Sequence, residues 1–134
     1  HQKCDVRWVD LAQGSFTPAS GHDGFVWQND HLPPSDMGGC HSLALNLDGD
    51  RWVFSGDLEK FSAVEQYLDD TCVLVLESRH IDVETATKTA LGRGVKRVIL
   101  THVAADMEPW PVDGAVWALD NLVVDTRSFP REGE

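Results

Sequence analysis

Basic residues are scarce in this chain. Lys and Arg together number 11 against 22 Asp and Glu, which gives a formal net charge of −11. Broad nucleic-acid surfaces and anionic-membrane surfaces both require clustered Lys and Arg, so the sequence predicts neither kind of partner. A small phosphate-containing substrate is still compatible with this charge, because bound divalent cations can dominate the local field.

Long apolar runs are also absent. No stretch approaches the roughly 20 apolar residues of a membrane span. The N-terminus has no recognisable secretory or transit segment. The chain starts without Met, and Cys4–Leu11 already has the weak alternation of a strand inside a domain. We therefore expect a fragment or a processed chain.

Cysteine is rare, with only three in the chain. Cys4, Cys40 and Cys72 cannot all pair, and they lack the close spacing of a zinc knuckle. Cys72 begins an apolar run and is expected to pack as a small core residue. This usage favours a reducing compartment, so we predict a cytoplasmic protein.

The pattern of apolar residues predicts an α/β fold. With 134 residues, 42% of them hydrophobic, the chain has the size and composition of a single globular domain or half-domain spanning residues 1–134. Strands are followed by alternating helices and strands, which is typical of a mixed sheet with parallel strands and two main helices. The predicted strands are Phe25–Gln28, Ser42–Leu47, Trp52–Phe54, Cys72–Leu76, Val95–Leu100 and a terminal hairpin of Ala115–Leu119 with Leu122–Val124. The first predicted helix carries Leu58 to Leu68 and ends near Asp70, and the second follows an Asp82 cap.

Three places put a candidate metal ligand at a strand end or in a loop before a strand: His31, Asp57 and His102. Imidazole suits zinc and a carboxylate can bridge two metals, and sites in α/β sheets gather at strand ends. Each residue also has an ordinary explanation. Asp57 could cap a helix, His102 could be a hydrogen-bonded structural histidine, and His31 could be solvated. The ordinary explanation is the one we favour for His22 and His80.

The segments Ser42–Asp57, Val73–Glu77 and Gly94–His102 together resemble the second half of metallo-β-lactamase-fold hydrolases. The first resembles the hairpin leading to a Ser-Gly-Asp motif, the second a strand that ends in Glu in ribonuclease Z-like members, and the third the last metal-binding strand. The resemblance covers about residues 25–125. It implies half of an αββα sandwich.

The resemblance also implies roles for individual residues. Asp57 matches the metal-bridging carboxylate and His102 the last histidine ligand. His31 is our choice for the preceding ligand, with His41 as the competitor because it lies closer to the strand. Glu77 is expected to orient a ligand or to assist proton transfer. The implied metal is zinc, with manganese or iron accepting the same ligands.

One family motif is missing. The first-half sequence His-x-His-x-Asp-His occurs nowhere in the chain. It normally supplies most of one metal site, so a two-metal centre is expected only if the missing half is present. We therefore expect either a homodimer or a partner segment that carries this half.

Three functions remain open at this point. The first is the C-terminal half of a hydrolase that cleaves phosphodiester or other ester bonds, in small molecules or nucleotides, with a metal-activated hydroxide; its motifs lean toward ribonuclease Z and the cyclic-nucleotide phosphodiesterases. The second is a degenerate, non-catalytic binding or interaction module, for which five tryptophans could supply contact area. The third is an α/β domain without metal.

Overall fold

A computed structural model describes residues 13–17, 22–33 and 39–129. The predicted strand Cys4–Leu11 lies outside these residues. Seven strands of the described part form one mixed sheet, in which the order of the strands follows the order of the chain. They are β1 (Gly14–Phe16), β2 (Gly24–Gln28), β3 (His41–Leu47), β4 (Asp50–Phe54), β5 (Thr71–Glu77), β6 (Arg97–Thr101) and β7 (Ala115–Trp117).

Strands β1 to β4 are antiparallel. Leu47 pairs with Asp50, so Asp48 and Gly49 alone form the turn between β3 and β4. Both turn residues have positive φ, 51° and 88°, the conformation that matches the twist of a two-residue hairpin. The predicted hairpin is confirmed.

Strands β4 to β7 are parallel. The predicted terminal hairpin is therefore wrong. Only Ala115–Trp117 forms a strand, and it pairs parallel with β6, while the Leu122 N–H donates to the Leu119 carbonyl at 3.0 Å to close a turn. The reason is that Ala115 and Trp117 pack against the main core and Val116 packs against the other sheet face. The apolar residues of β7 therefore extend the two apolar faces of the sheet and do not form a separate hairpin.

Among the described residues, the two α-helices are α1 (Ser62–Glu65) and α2 (Val83–Gly92). Asp82 caps α2 as predicted, since its side chain accepts from the N–H groups of Glu84 and Thr85. Helix α1 has only 4 residues and is shorter than predicted. Distant side chains instead bind the backbone N–H groups just before it. The Leu58 N–H donates to the Glu77 carboxylate, and the N–H groups of Glu59 and Lys60 donate to the Asp30 carboxylate.

The core lies between the helices and one face of the sheet. Of the five apolar residues at helical spacing in the first helical segment, Leu58, Val64 and Leu68 are 0% exposed, while Phe61 and Tyr67 are only partly buried. They join apolar residues of α2 and of β4 to β6. The mixed sheet with two helices confirms the predicted α/β class. None of the helices in the described ranges is long and apolar enough to cross a membrane.

The other face of the sheet is apolar too. Near β5 and β6, Val73 and Ile99 are covered by Phe129 from the C-terminal segment. Cys72 packs beside them, and burial, followed by the nearby Asp50 carboxylate, raises the pKa of its thiol. Further along the sheet lie side chains that are only half-buried and that we call the outer sheet face: Leu43, Leu45, Trp52 and Phe54.

Candidate metal centre

Four polar side chains gather where the parallel strands β4, β5 and β6 end. The register pairs Phe54 with Val75 and Glu77 with Thr101, so the carboxyl ends of the three strands lie at one edge of the sheet. Asp57, Glu77, His80 and His102 lie at these strand ends or in the loops that follow. Such an edge is the usual place for a site in an α/β sheet.

The loop after β4 is fixed by its backbone. Ser55 is buried, its N–H donates to the Val75 carbonyl at 2.9 Å, and its Oγ accepts from the Glu77 N–H at 2.9 Å. Gly56 has φ of +60°, and a Cβ at this position would lie 2.6 Å from the His41 carbonyl oxygen. Only glycine fits there without strain. The turn directs Asp57 to the sheet edge.

Glu77 is a buried carboxylate, and both of its oxygens accept hydrogen bonds. Its side chain is 2% exposed. Oε1 accepts from the Leu58 N–H at 2.9 Å, and Oε2 accepts from the N–H groups of Arg79 and His80 at 2.6 and 2.9 Å. The His80 ring nitrogen Nδ1 lies 2.9 Å from Oε1. Glu77 is therefore placed to orient the His80 ring and to hold the loops after β4 and β5 together.

His102 lies directly after β6 in a left-handed backbone conformation, with φ of +60°. This is uncommon for a residue with a side chain, and such residues cluster at functional sites. Its Nδ1 lies 2.8 Å from Asp57 Oδ1, and both side chains are partly exposed. The Ser78 hydroxyl donates to the Thr101 carbonyl at 2.7 Å, which ties the ends of β5 and β6 together beside His102.

The loop after β2 brings His31 to the same edge. Buried Asn29 donates from Nδ2 to Ser42 Oγ at 3.1 Å, and its Oδ1 accepts from the His31 N–H at 3.1 Å. The Asp30 carboxylate accepts from the N–H groups of Glu59 and Lys60, each at 3.0 Å. These bonds fix the backbone up to His31, whose ring centroid lies 4.6 Å from that of His80.

Two groups of possible ligand atoms result, each with all its atoms within 4.8 Å of one another. One consists of His31, Asp57 and His80, and the other of Glu77, His80 and His102. Ligands bound to one tetrahedral zinc ion at about 2.0–2.1 Å stand roughly 3.3 Å apart. Small side-chain rotations would therefore bring these atoms to ligand distance, and the mixture of imidazole and carboxylate suits zinc, so the residues fit a metal.

The structure brings together all four residues predicted for the site: His31, Asp57, Glu77 and His102. His41 stands at the start of β3 with an exposed side chain and belongs to neither group of ligand atoms in the described residues.

Sequence reasoning missed His80, which we expected to be an ordinary solvated or structural histidine. The structure places it in both ligand groups. A signal was available in the sequence. His80 follows the strand-end Glu77 by three residues and precedes the Asp82 cap of α2, so it occupies a loop at the same sheet edge as Asp57 and His102.

No family model and no curated protein matches the chain. Among solved structures, it is similar to a crystal structure from Thermotoga maritima of a protein assigned to the Zn-dependent hydrolases of the metallo-β-lactamase superfamily. The two are 19% identical with a TM-score of 0.57, and the match covers 76% of this chain. This chain has a metallo-β-lactamase-like fold.

The likeness extends over 52% of the Thermotoga maritima chain. This chain therefore spans about half of the length of that metallo-β-lactamase-fold protein. At 19% identity the likeness shows the fold alone. The function therefore depends on the residues at the sheet edge.

Proposed function

We propose that this chain is the C-terminal half of a metal-dependent hydrolase that cleaves phosphodiester or other ester bonds. The observation that carries the proposal is the convergence of His31, Asp57 and His102 from three separate loops on one sheet edge, on a fold shared with a protein assigned to the Zn-dependent hydrolases. Zinc is the metal that this ligand set favours, and manganese or iron would accept it.

A divalent ion bound there would activate water and stabilise the negative charge that develops on the ester. The chain's own residues supply the binding and the orientation. The contact of Asp57 Oδ1 with His102 Nδ1 leaves the second carboxylate oxygen of Asp57 and Nε2 of His102 for a ligand role. Glu77 contacts the His80 ring at Nδ1 and so fixes its orientation at the same edge.

We further propose that the missing half is a segment carrying His-x-His-x-Asp-His that packs on the outer sheet face. Two observations support this occupant: the match covers only half of the similar solved chain, and the outer sheet face presents four half-buried apolar side chains that cluster on β3 and β4. Clustered apolar side chains of this kind mark interaction surfaces. The segment would complete a two-metal centre, and the net charge of −11 favours a small or nucleotide-type substrate over long nucleic acid.

The first test is the metal content of the protein, measured by elemental analysis and by titration of the chelated protein with Zn²⁺ and Mn²⁺. We expect about one equivalent bound by this chain alone. Asp57→Ala should abolish binding while circular dichroism shows an intact fold, because Asp57 is partly exposed. Asp50→Ala is the control, since Asp50 begins β4 at the end opposite Asp57. A folded wild-type protein that binds no metal would contradict the proposal, as would an Asp57→Ala variant with unchanged affinity.

Turnover is a separate measurement. Hydrolysis of a chromogenic phosphodiester is expected only when the segment with the missing motif is supplied together with this chain. Metal binding without turnover in that mixture would favour the alternative function, a non-catalytic interaction module, which the apolar outer sheet face also supports.

A further inference from the structure

We infer that His80 is a metal ligand of this chain, held in place by Glu77 and grouped with His31 and Asp57 in a site that lies within this half of the fold. The inference rests on the proposed function, because it names a further residue of the same metal site. It is independent of the motif resemblance, which assigned no role to His80.

The His80 ring contacts the buried carboxylate of Glu77. Histidines that bind metals nearly always donate their other ring N–H to a carboxylate, a carbonyl or water, which fixes the tautomer. Nδ1 of His80 lies 2.9 Å from Oε1 of Glu77, a carboxylate that is itself 2% exposed. With Nδ1–H donating to Glu77, the lone pair lies on Nε2, on the opposite side of the ring.

The His80 ring lies close to the rings of two other candidate ligands. Its centroid lies 4.6 Å from that of His31 and 5.7 Å from that of His102. His80 is also the residue that the two groups of close ligand atoms share. His80 therefore lies near both His31 and His102, as does Asp57, whose Oδ1 is 2.8 Å from His102 Nδ1.

Glu77 also fixes the backbone at His80. Its own N–H and that of Arg79 both donate to Oε2 of Glu77, while its ring meets Oε1. These contacts hold the loop that carries His80 at the sheet edge. The His80 side chain is 31% exposed, which leaves room for a ligand or water beside it.

With His80, this chain has enough ligands to bind one metal ion. His31, Asp57 and His80 make three close ligands, the number of protein ligands in catalytic zinc sites, where water takes the fourth position. One ion could therefore be held by this chain alone, before the missing half adds a second.

The test compares wild-type protein with His80→Ala, His102→Ala and His22→Ala by zinc titration and by the visible absorption of bound Co²⁺. His22 serves as the control because it belongs to neither ligand group. We expect His80→Ala to weaken zinc binding at least about tenfold, by analogy with the loss of groups that support a metal site. We also expect it to change the Co²⁺ spectrum, because the number of nitrogen ligands falls, and we expect His22→Ala to change neither.

The outcomes separate this inference from the proposed function. If His102→Ala loses metal while His80→Ala keeps wild-type affinity and spectrum, the inference fails and the hydrolase proposal stands. A weaker affinity with an unchanged Co²⁺ spectrum also overturns it, because His80 would then act without contacting the metal. If wild-type protein binds neither ion, both proposals fail together.

Discussion

At the scale of single residues, Gly56 determines where Asp57 lies. Its φ of +60° belongs to the left-handed region, and its Cα faces the His41 carbonyl so closely that a Cβ would come within 2.6 Å of the oxygen. Any other residue at this position, which precedes a candidate ligand, would have both a strained backbone and a clash with the His41 carbonyl. Gly49 also has positive φ, of +88°, but a Cβ there would meet nothing within 4 Å.

The pair gives a matched prediction. Gly49→Ala should lower the free energy of unfolding by about 1–2 kcal/mol, the cost of the left-handed conformation alone. Gly56→Ala should cost more, because the chain must also move away from the His41 carbonyl, and it should weaken zinc binding as Asp57 shifts. Urea denaturation and zinc titration measure the two effects. Equal losses of stability in the two variants, with unchanged zinc affinity, would show that the close contact at Gly56 does not position Asp57.

At the scale of elements, the loop between β5 and α2 carries His80 and is fixed at both ends. Ser78 donates to the Thr101 carbonyl at the β5 end, and Asp82 caps α2 at the other. The pKa of the Asp82 carboxyl is lowered, first by the hydrogen bond from the Thr85 hydroxyl and then by backbone N–H groups. The folded state therefore favours ionised Asp82.

The sign of the pH dependence follows from that lowered pKa. The contribution of ionised Asp82 to stability is fully present above its ordinary pKa of 3.8 and is lost as the pH falls through the lower pKa of the folded state. We expect Asp82→Ala to lower the urea midpoint at neutral pH and Asp82→Asn to lower it less, because Asn also caps helices. The difference between wild type and Asp82→Asn should shrink in acid. A constant difference across this pH range would contradict the prediction.

At the scale of the whole molecule, the sheet has two apolar faces and helices on one of them. The helix face is covered by α1, α2 and the loops that join them. On the other face, Phe129 covers Val73 and Ile99 on β5 and β6, and Trp52 packs beside this cluster. The outer sheet face on β3 and β4 is half-buried, with the rings of Trp52 and Phe54 stacked 6.2 Å apart, which is the arrangement expected where a further layer packs.

Leu45→Glu tests this surface, with Asn46→Glu as its control. The two residues are neighbours on β3, so their side chains point to opposite faces of the sheet, and Leu45 pairs with Trp52. We expect Leu45→Glu to weaken capture of a co-expressed His-x-His-x-Asp-His segment by about tenfold or more, since a charge would be buried without a partner, and Asn46→Glu to leave capture unchanged. Equal capture by both variants would contradict the proposed surface. Self-association of the chain through Leu45 would assign the face to a second copy.

Much of the fold, and the position of several candidate ligands at one sheet edge, follow from local signals in the sequence. The Asp48-Gly49 turn, the Asp82 cap and the apolar runs of β5 and β6 each follow from neighbouring residues. Asp57 and His102 were predictable because they directly follow strands whose ends meet at one edge. The length of α1 was not predictable, because Asp30 and Glu77, both distant in the chain, bind the backbone N–H groups just before it.

By itself, the sequence determined the α/β class and the strand ends that carry candidate ligands, and it shows no first-half motif. Only the tertiary structure decided that β7 extends the parallel sheet, that His31 rather than His41 faces the other candidate ligands, and that His80 belongs among them. The physical reason is the same in each case. These outcomes depend on contacts between residues far apart in the chain, such as the His31 ring beside His80, and no local pattern encodes such a contact.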